Sequence, residues 1–224
     1  MKTIPNTPVP SNMSAKKIVA EDVKGGLEGA SAGKTIAGKW GAIIGGVVGA
    51  VAGSVSAACE ISAAPSGQDL RINPKNGLNV VGATHNRIVL SLASTGFLKA
   101  RQSPAAIAEA VLKEFHSYGE NFQVPGIDTA FVVRVLEKIQ HERGGGHQAF
   151  GDVVSKGIPE SLRPKVKEIE EWLMKEAPMD AKELGAMITK EESNLLNSSS
   201  MNTVQEMQVE IFFSVLRHSA ALWS

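Results

Sequence analysis

The chain has little of what several classes of protein depend on. Its 224 residues include one cysteine, one tyrosine and only 5% aromatic residues, and 23 basic residues balance 23 acidic ones. A single cysteine excludes an intrachain disulfide and a cysteine-based metal cluster. Scarce aromatic residues disfavour a platform on which nucleotide bases could stack, and zero net charge creates no overall field towards nucleic acid. We therefore expect no nucleic-acid partner.

Glycine, in contrast, is abundant and regularly spaced. Small residues recur at every fourth position from 25 to 57, with a second such row one residue further on. Residues four apart share a helix face, and a face of glycine and alanine lets another backbone approach closely. This pattern predicts a helix-packing and self-association surface formed by Gly29, Gly33, Gly41, Gly45, Gly49 and Gly53.

The same segment contains a long run without charge. Trp40 to Cys59 is 20 residues without an acidic or basic side chain, and a helix of that length spans about 30 Å, the thickness of the hydrocarbon core of a bilayer. One interpretation is a membrane span. The other is a hairpin of small residues, bent around Gly38, that packs against the remaining helices or against a second copy.

Helix signals continue through the rest of the chain. Ser103 before Pro104 predicts a capped helix start, Asp128 or Thr129 can cap the next helix, and no segment alternates with the period of a strand. We expect an all-α fold, with a glycine-zipper helix or helical hairpin followed by a multi-helix bundle. The expected divisions are a flexible leader-like segment (1–23), the zipper (24–63), a linker (64–76) and a helical domain (77–224) that folds without the zipper.

Candidate catalytic and metal-binding patterns are incomplete. The run from Gly29 to Thr35 is one residue short of a phosphate-binding loop, and Glu28 stands where the loop needs glycine. Glu137, His141 and His147 lack the spacing of a zinc-binding helix. Nothing near Cys59 in the sequence would activate its thiol. We expect no enzyme activity, no metal and no cofactor.

A second set of residues predicts a structural motif. It comprises Asn73, Pro74, His85, Asn86 and Trp223. We expect the His85–Asn86 pair to hydrogen-bond a loop or cap a neighbouring helix. Trp223 is interpreted as a packing anchor, with an interfacial membrane anchor as the alternative.

The glycine-rich segment and the layout of the chain resemble those of a known group of bacterial proteins. Residues 21–58 resemble the glycine-zipper segments of bacterial peptides exported after a double-glycine leader, with Gly25 and Gly26 as the pair and Val23 at the apolar position. The whole layout is similar to uncharacterised Bacteroidota glycine-zipper proteins. The resemblance implies export, cleavage that leaves Leu27 as the first residue, and membrane activity or bacterial antagonism.

Two functions follow from the sequence. The first is a non-enzymatic, self-associating or membrane-active protein, membrane-associated or secreted rather than cytoplasmic. The second is a soluble α-helical protein-binding module whose glycine-rich segment is an internal packing hairpin. The expected partners are a second copy or another helical protein, with a membrane as a further candidate.

Overall fold

The computed structural model describes residues 11–61, 65, 72–117, 127–142, 160, 163–174, 181–198 and 201–223. The helices within them are α1 (Ser11–Ile61), α2 (Asn79–Ser94), α3 (Pro104–Ser117), α4 (Thr129–Glu142), α5 (Arg163–Met174), α6 (Ala181–Ser198) and α7 (Thr203–Trp223). A short 3₁₀ turn, Phe97–Lys99, follows α2. No strand occurs among the described residues, and the expected all-α fold is confirmed.

Helix α1 is a hairpin. Its backbone leaves helical geometry at Ala37 and at Gly38, where φ is 62° and ψ is −143°. Glycine adopts positive φ without steric cost because it has no Cβ, so the chain reverses at Gly38, where the sequence predicted a bend. We call residues 11–36 arm A and residues 39–61 arm B.

The glycines of the first row hold the two arms together at backbone contact. From the position that a Cβ would occupy, the facing carbonyl oxygen is 2.1 Å away for Gly25 to Gly49, 2.0 Å for Gly29 to Gly45 and 1.9 Å for Gly33 to Gly41. A real Cβ cannot stand so close to an oxygen, so only glycine permits this separation. The predicted packing surface therefore meets the other arm of its own chain.

The second row of small residues faces the bundle. A Cβ on Gly26 would lie 3.2 Å from the Val215 side chain, and one on Gly46 would lie 3.3 Å from the Ile211 side chain. Both partners belong to α7, which is buried along its length from Ile211 to Trp223. A helix that is buried on every side lies in the core. The hairpin and α7 together therefore form the centre of the molecule.

Helices α3 and α4 begin at the capping residues that the sequence predicted. The Ser103 hydroxyl accepts a hydrogen bond from Ala106 N at 3.2 Å, and the Asp128 carboxylate accepts one from Phe131 N at 2.7 Å. Each side chain satisfies an amide that has no partner within its helix. A further short helix expected at 147–156 lies outside the described residues.

The structure corrects one of the expected divisions of the chain. Residues 11–23, assigned to a flexible leader, belong to α1, and Ile18, Val19 and Val23 are buried in the core. The zipper also shares one core cluster with apolar residues of the helical domain. Because the hairpin covers α7, residues 77–224 alone would expose the apolar face of that helix, and we no longer expect them to fold independently.

Candidate functional site

A buried carboxylate joins the hairpin to the rest of the bundle. Asp22 on arm A is fully buried. Its Oδ1 accepts a hydrogen bond from Ser54 Oγ at 2.7 Å. Its Oδ2 accepts one from Ser219 Oγ at 2.7 Å and one from Trp223 Nε1 at 3.1 Å. Because a buried charge is costly unless it is hydrogen-bonded, these donors fix arm A against arm B and α7.

The His85–Asn86 pair extends this cluster to α2. His85 Nε2 lies 3.0 Å from Ser54 Oγ and 3.4 Å from Asp22 Oδ2, and His85 Nδ1 lies 2.9 Å from Asn86 Oδ1. Asn86 Nδ2 donates to the main-chain carbonyl of His218 at 2.7 Å. The pair thus links α2 to the hairpin and to α7. We call Asp22, Ser54, His85, Asn86, Ser219 and Trp223 the polar clamp.

The polar clamp has the residue types of a hydrolase site without the access that catalysis needs. Asp22, Ser54 and His85 each have no exposed surface. The Ser54 hydroxyl donates its proton to Asp22, but a nucleophilic serine must also present its oxygen to a substrate, and this burial leaves no room for one. We therefore assign the polar clamp a structural role.

A second buried network surrounds an ion pair between α6 and α7. Glu192 and Arg217 form a buried salt bridge. The Glu192 carboxylate also accepts hydrogen bonds from the amides of Asn73, at 2.5 Å, and Asn76, at 2.5 Å. Arg217 also donates to the Asn79 side chain. The loop that precedes α2 is therefore folded around a pair of charges contributed by the C-terminal helices.

The turn of the hairpin is the exposed end of this otherwise buried element. Ala37, Gly38 and Lys39 are exposed, and the Trp40 side chain is 58% exposed. Lys34 is partly exposed on the other side of the turn. We call residues 34–40 the hairpin tip. An exposed tryptophan next to lysines is the combination that favours the interface between water and lipid headgroups.

Two of the exposed apolar residues flank a loop that lies near the tip. The large exposed apolar side chains of the described residues are Trp40, Ile72, Val80, Leu90 and Val204. Ile72 and Val80 flank the loop whose Gly77 N–H donates to Glu210 of α7. Burial raises the pKa of Glu210, whereas that hydrogen bond and the positive charge of Lys39 oppose the rise. Lys39, Glu210 and the loop are therefore neighbours.

Among the described residues, one helix is long and apolar enough to cross a membrane. It lies within residues 15–61, with a mean hydropathy of 1.9 over its most apolar window, and 83% of that window is buried inside the protein. The core helix of a soluble protein can have the same length and composition, so this finding is weak evidence for a span.

The residues predicted as functional lie in three different places. The glycine row lies between the two arms, and Gly53 faces the Glu21 carbonyl of arm A. His85, Asn86 and Trp223 meet in the polar clamp, whereas Asn73 belongs to the Glu192 network. Asp22, Ser54, Glu192 and Arg217 were not predicted as functional from the sequence. No local pattern in the sequence marks these four residues as buried.

The first prediction concerns His218, which is fully buried beside the polar clamp. Its Nδ1 donates to the Ser214 carbonyl at 2.7 Å, and Nε2 has no hydrogen-bond partner. Burial lowers the pKa of His218 from 6.5 to about 4, an effect opposed by the Ser214 hydrogen bond and reinforced by Arg217 and His85. Between pH 6.5 and 4, the unfolded chain therefore binds a proton that the folded chain does not.

Stability should consequently fall as the pH falls through this window, by about 3 kcal/mol in total. Urea unfolding at a series of pH values measures the slope. His218→Gln should remove most of this dependence, whereas His116→Gln, at an exposed position of α3, should retain it. Equal slopes for the two variants would show that His218 is not the titrating group.

Comparisons of this chain with protein-family models, with curated proteins and with solved structures find no match.

Proposed function

We propose that this protein acts at a lipid bilayer, which it contacts through the exposed hairpin tip while the arms remain packed in the bundle. The observation that carries the proposal is Trp40, 58% exposed at the end of a hairpin that is otherwise mostly buried. Burying so large an aromatic side chain at the membrane interface is favourable. Lys34 and Lys39 add attraction to anionic headgroups.

The charges around the tip make Trp40 the main expected contact. Glu206 and Glu210 of α7 lie at the same end of the molecule as the tip, since Lys39 and Glu206 both act on the pKa of Glu210. These carboxylates offset part of the attraction of the lysines. The apolar contact made by Trp40 has no such opposition, so binding should depend on Trp40 as well as on lipid charge.

The arms are not expected to enter the bilayer in this mode. Asp22, Lys24 and Glu28 of arm A are buried within the protein. Asp22 is satisfied by the polar clamp, and Lys24 pairs with Glu21 at 3.5 Å. Transferring an aspartate or a lysine to the centre of a bilayer costs about 3 kcal/mol for each residue. In the closed hairpin the glycine row already packs against the other arm. Self-association through that row would therefore require the arms to separate.

The second prediction tests this contact. The protein should cosediment with vesicles that contain anionic lipid. Lys34→Gln and Lys39→Gln should each weaken partition about fivefold, because a lysine near such a surface contributes about 1 kcal/mol. Trp40→Ser should weaken partition at least as much. Leu90→Ser is the matched control, since Leu90 is also exposed, at 39%, but lies on α2 away from the tip.

Two outcomes would contradict the proposal. One is a native protein that remains in the supernatant with every vesicle composition. The other is an equal loss of partition for Trp40→Ser and Leu90→Ser. Either result would favour the second candidate function, a helical protein-binding module with an internal packing hairpin. The observation that favours this candidate is that the buried charges of arm A are satisfied within the protein itself.

The leader interpretation requires removal of part of this core. Cleavage after Gly26 would remove Asp22, the acceptor for Ser54, Ser219 and Trp223. It would also remove Gly25, which faces Gly49 of arm B. Our proposal therefore takes the uncleaved α1 helix, and not a chain that begins at Leu27, as the functional form.

A further inference from the structure

A cleft opens beside arm B, away from the hairpin tip. It has a volume of about 310 Å³ and lies between arm B and helices α3 and α4. Gly49, Ala52 and Gly53 form one wall. The opposite wall is apolar and is formed by Ile107, Leu136 and Ile139, whose side chains are 4–8% exposed. The volume is at the small end of the range for ligand sites.

The rim of the cleft is polar and carries one charge. Arg101, Gln102, Ser56 and Gln140 contribute to it, and no acidic residue does among the described lining residues. Gln102 is held in place because its Nε2 donates to the Phe97 carbonyl at 2.8 Å. Arg101 is exposed, and none of the ion pairs among the described residues includes it. The guanidinium can therefore receive an anion from solution.

We propose that this cleft binds a single-chain amphiphile with an anionic head and a short apolar chain. Arg101 would pair with the head, because its planar fork matches a carboxylate or a phosphate. The chain would lie between the small residues of arm B and the apolar wall. The volume has room for about ten water-sized groups, which fits a medium chain and excludes a two-chain lipid. This site does not depend on the membrane contact of the tip.

The third prediction concerns binding of three probes that share a ten-carbon chain. Decanoate, decyl phosphate and decanol are titrated calorimetrically into the full-length protein, the two anions below their critical micelle concentrations and decanol below its solubility limit. Both anions should bind more tightly than decanol. Arg101→Gln should weaken the anions about tenfold, the usual effect of losing a charged hydrogen bond, and should leave decanol unchanged. A preference for decanoate would indicate a free fatty acid, and a preference for decyl phosphate a phosphorylated lipid.

Two further variants separate the cleft from the general surface. Ala52→Phe fills the wall of arm B and should abolish binding of all three probes, with an unchanged circular dichroism spectrum as evidence of folding. Lys113→Gln removes one positive charge from an exposed position on α3 outside the cleft and should bind as the parent does. Absence of binding to the native protein, or equal affinities of the Arg101→Gln and parent proteins for decanoate, would overturn the proposal.

Discussion

Replacing Gly45 by alanine should destabilise the protein by about 4 kcal/mol, which is a large effect for one methyl group. The added Cβ would lie 2.1 Å from the Gly29 carbonyl oxygen and 3.1 Å from Gly33 Cα. Both neighbours are backbone atoms of arm A, so no side-chain rotation can relieve the overlap and the arms must separate. Urea unfolding followed by circular dichroism measures the loss.

The control for this prediction is the neighbouring glycine. Alanine is the better helix former by about 1 kcal/mol, and Gly46→Ala gains the same propensity on the same turn of arm B. Its Cβ would meet the ends of the Ile211 and Val81 side chains at 3.3 Å and 3.5 Å, which can shift slightly. Gly46→Ala should therefore be close to neutral. A Gly45→Ala protein as stable as the parent would refute the close contact between the arms.

Replacing Asp22 by alanine should cost about 4 kcal/mol, because several buried donors lose one acceptor together. A buried donor left without a partner costs about 1–3 kcal/mol, and Ser54, Ser219 and Trp223 all donate to this carboxylate. Asp22→Asn should lose less, since an amide oxygen still accepts. The free energy of unfolding of each variant at neutral pH measures these costs.

The matched control is an acidic residue of the same helix that lies at the surface. Glu60 pairs with Lys17 at 3.1 Å, and the two side chains are 37% and 53% exposed. An exposed pair of this kind contributes about 0–1 kcal/mol, so Glu60→Ala should have little effect. If Asp22→Ala were no more destabilising than Glu60→Ala, the polar clamp would not be what joins the hairpin to α2 and α7.

The sequence predicted those parts of the fold that depend on neighbouring residues. Ser103 and Asp128 accept hydrogen bonds from amides three residues away, so the local sequence determines where α3 and α4 begin. The bend at Gly38 follows from the positive φ that glycine permits. The spacing of four also predicted that the glycines share a packing face, because that spacing is a property of the helix itself.

Only the tertiary structure decided what those faces meet and where the charges go. A small-residue row packs equally well against another arm, another copy or a helix in a membrane. In the structure Gly29 faces Gly45, so the row packs against the other arm of the same chain. Asp22 and Trp223 are 201 positions apart, and Glu192 and Arg217 belong to different helices. No local pattern distinguishes such a residue from a solvated one, because the partners that make its burial tolerable are brought to it only by the folded chain.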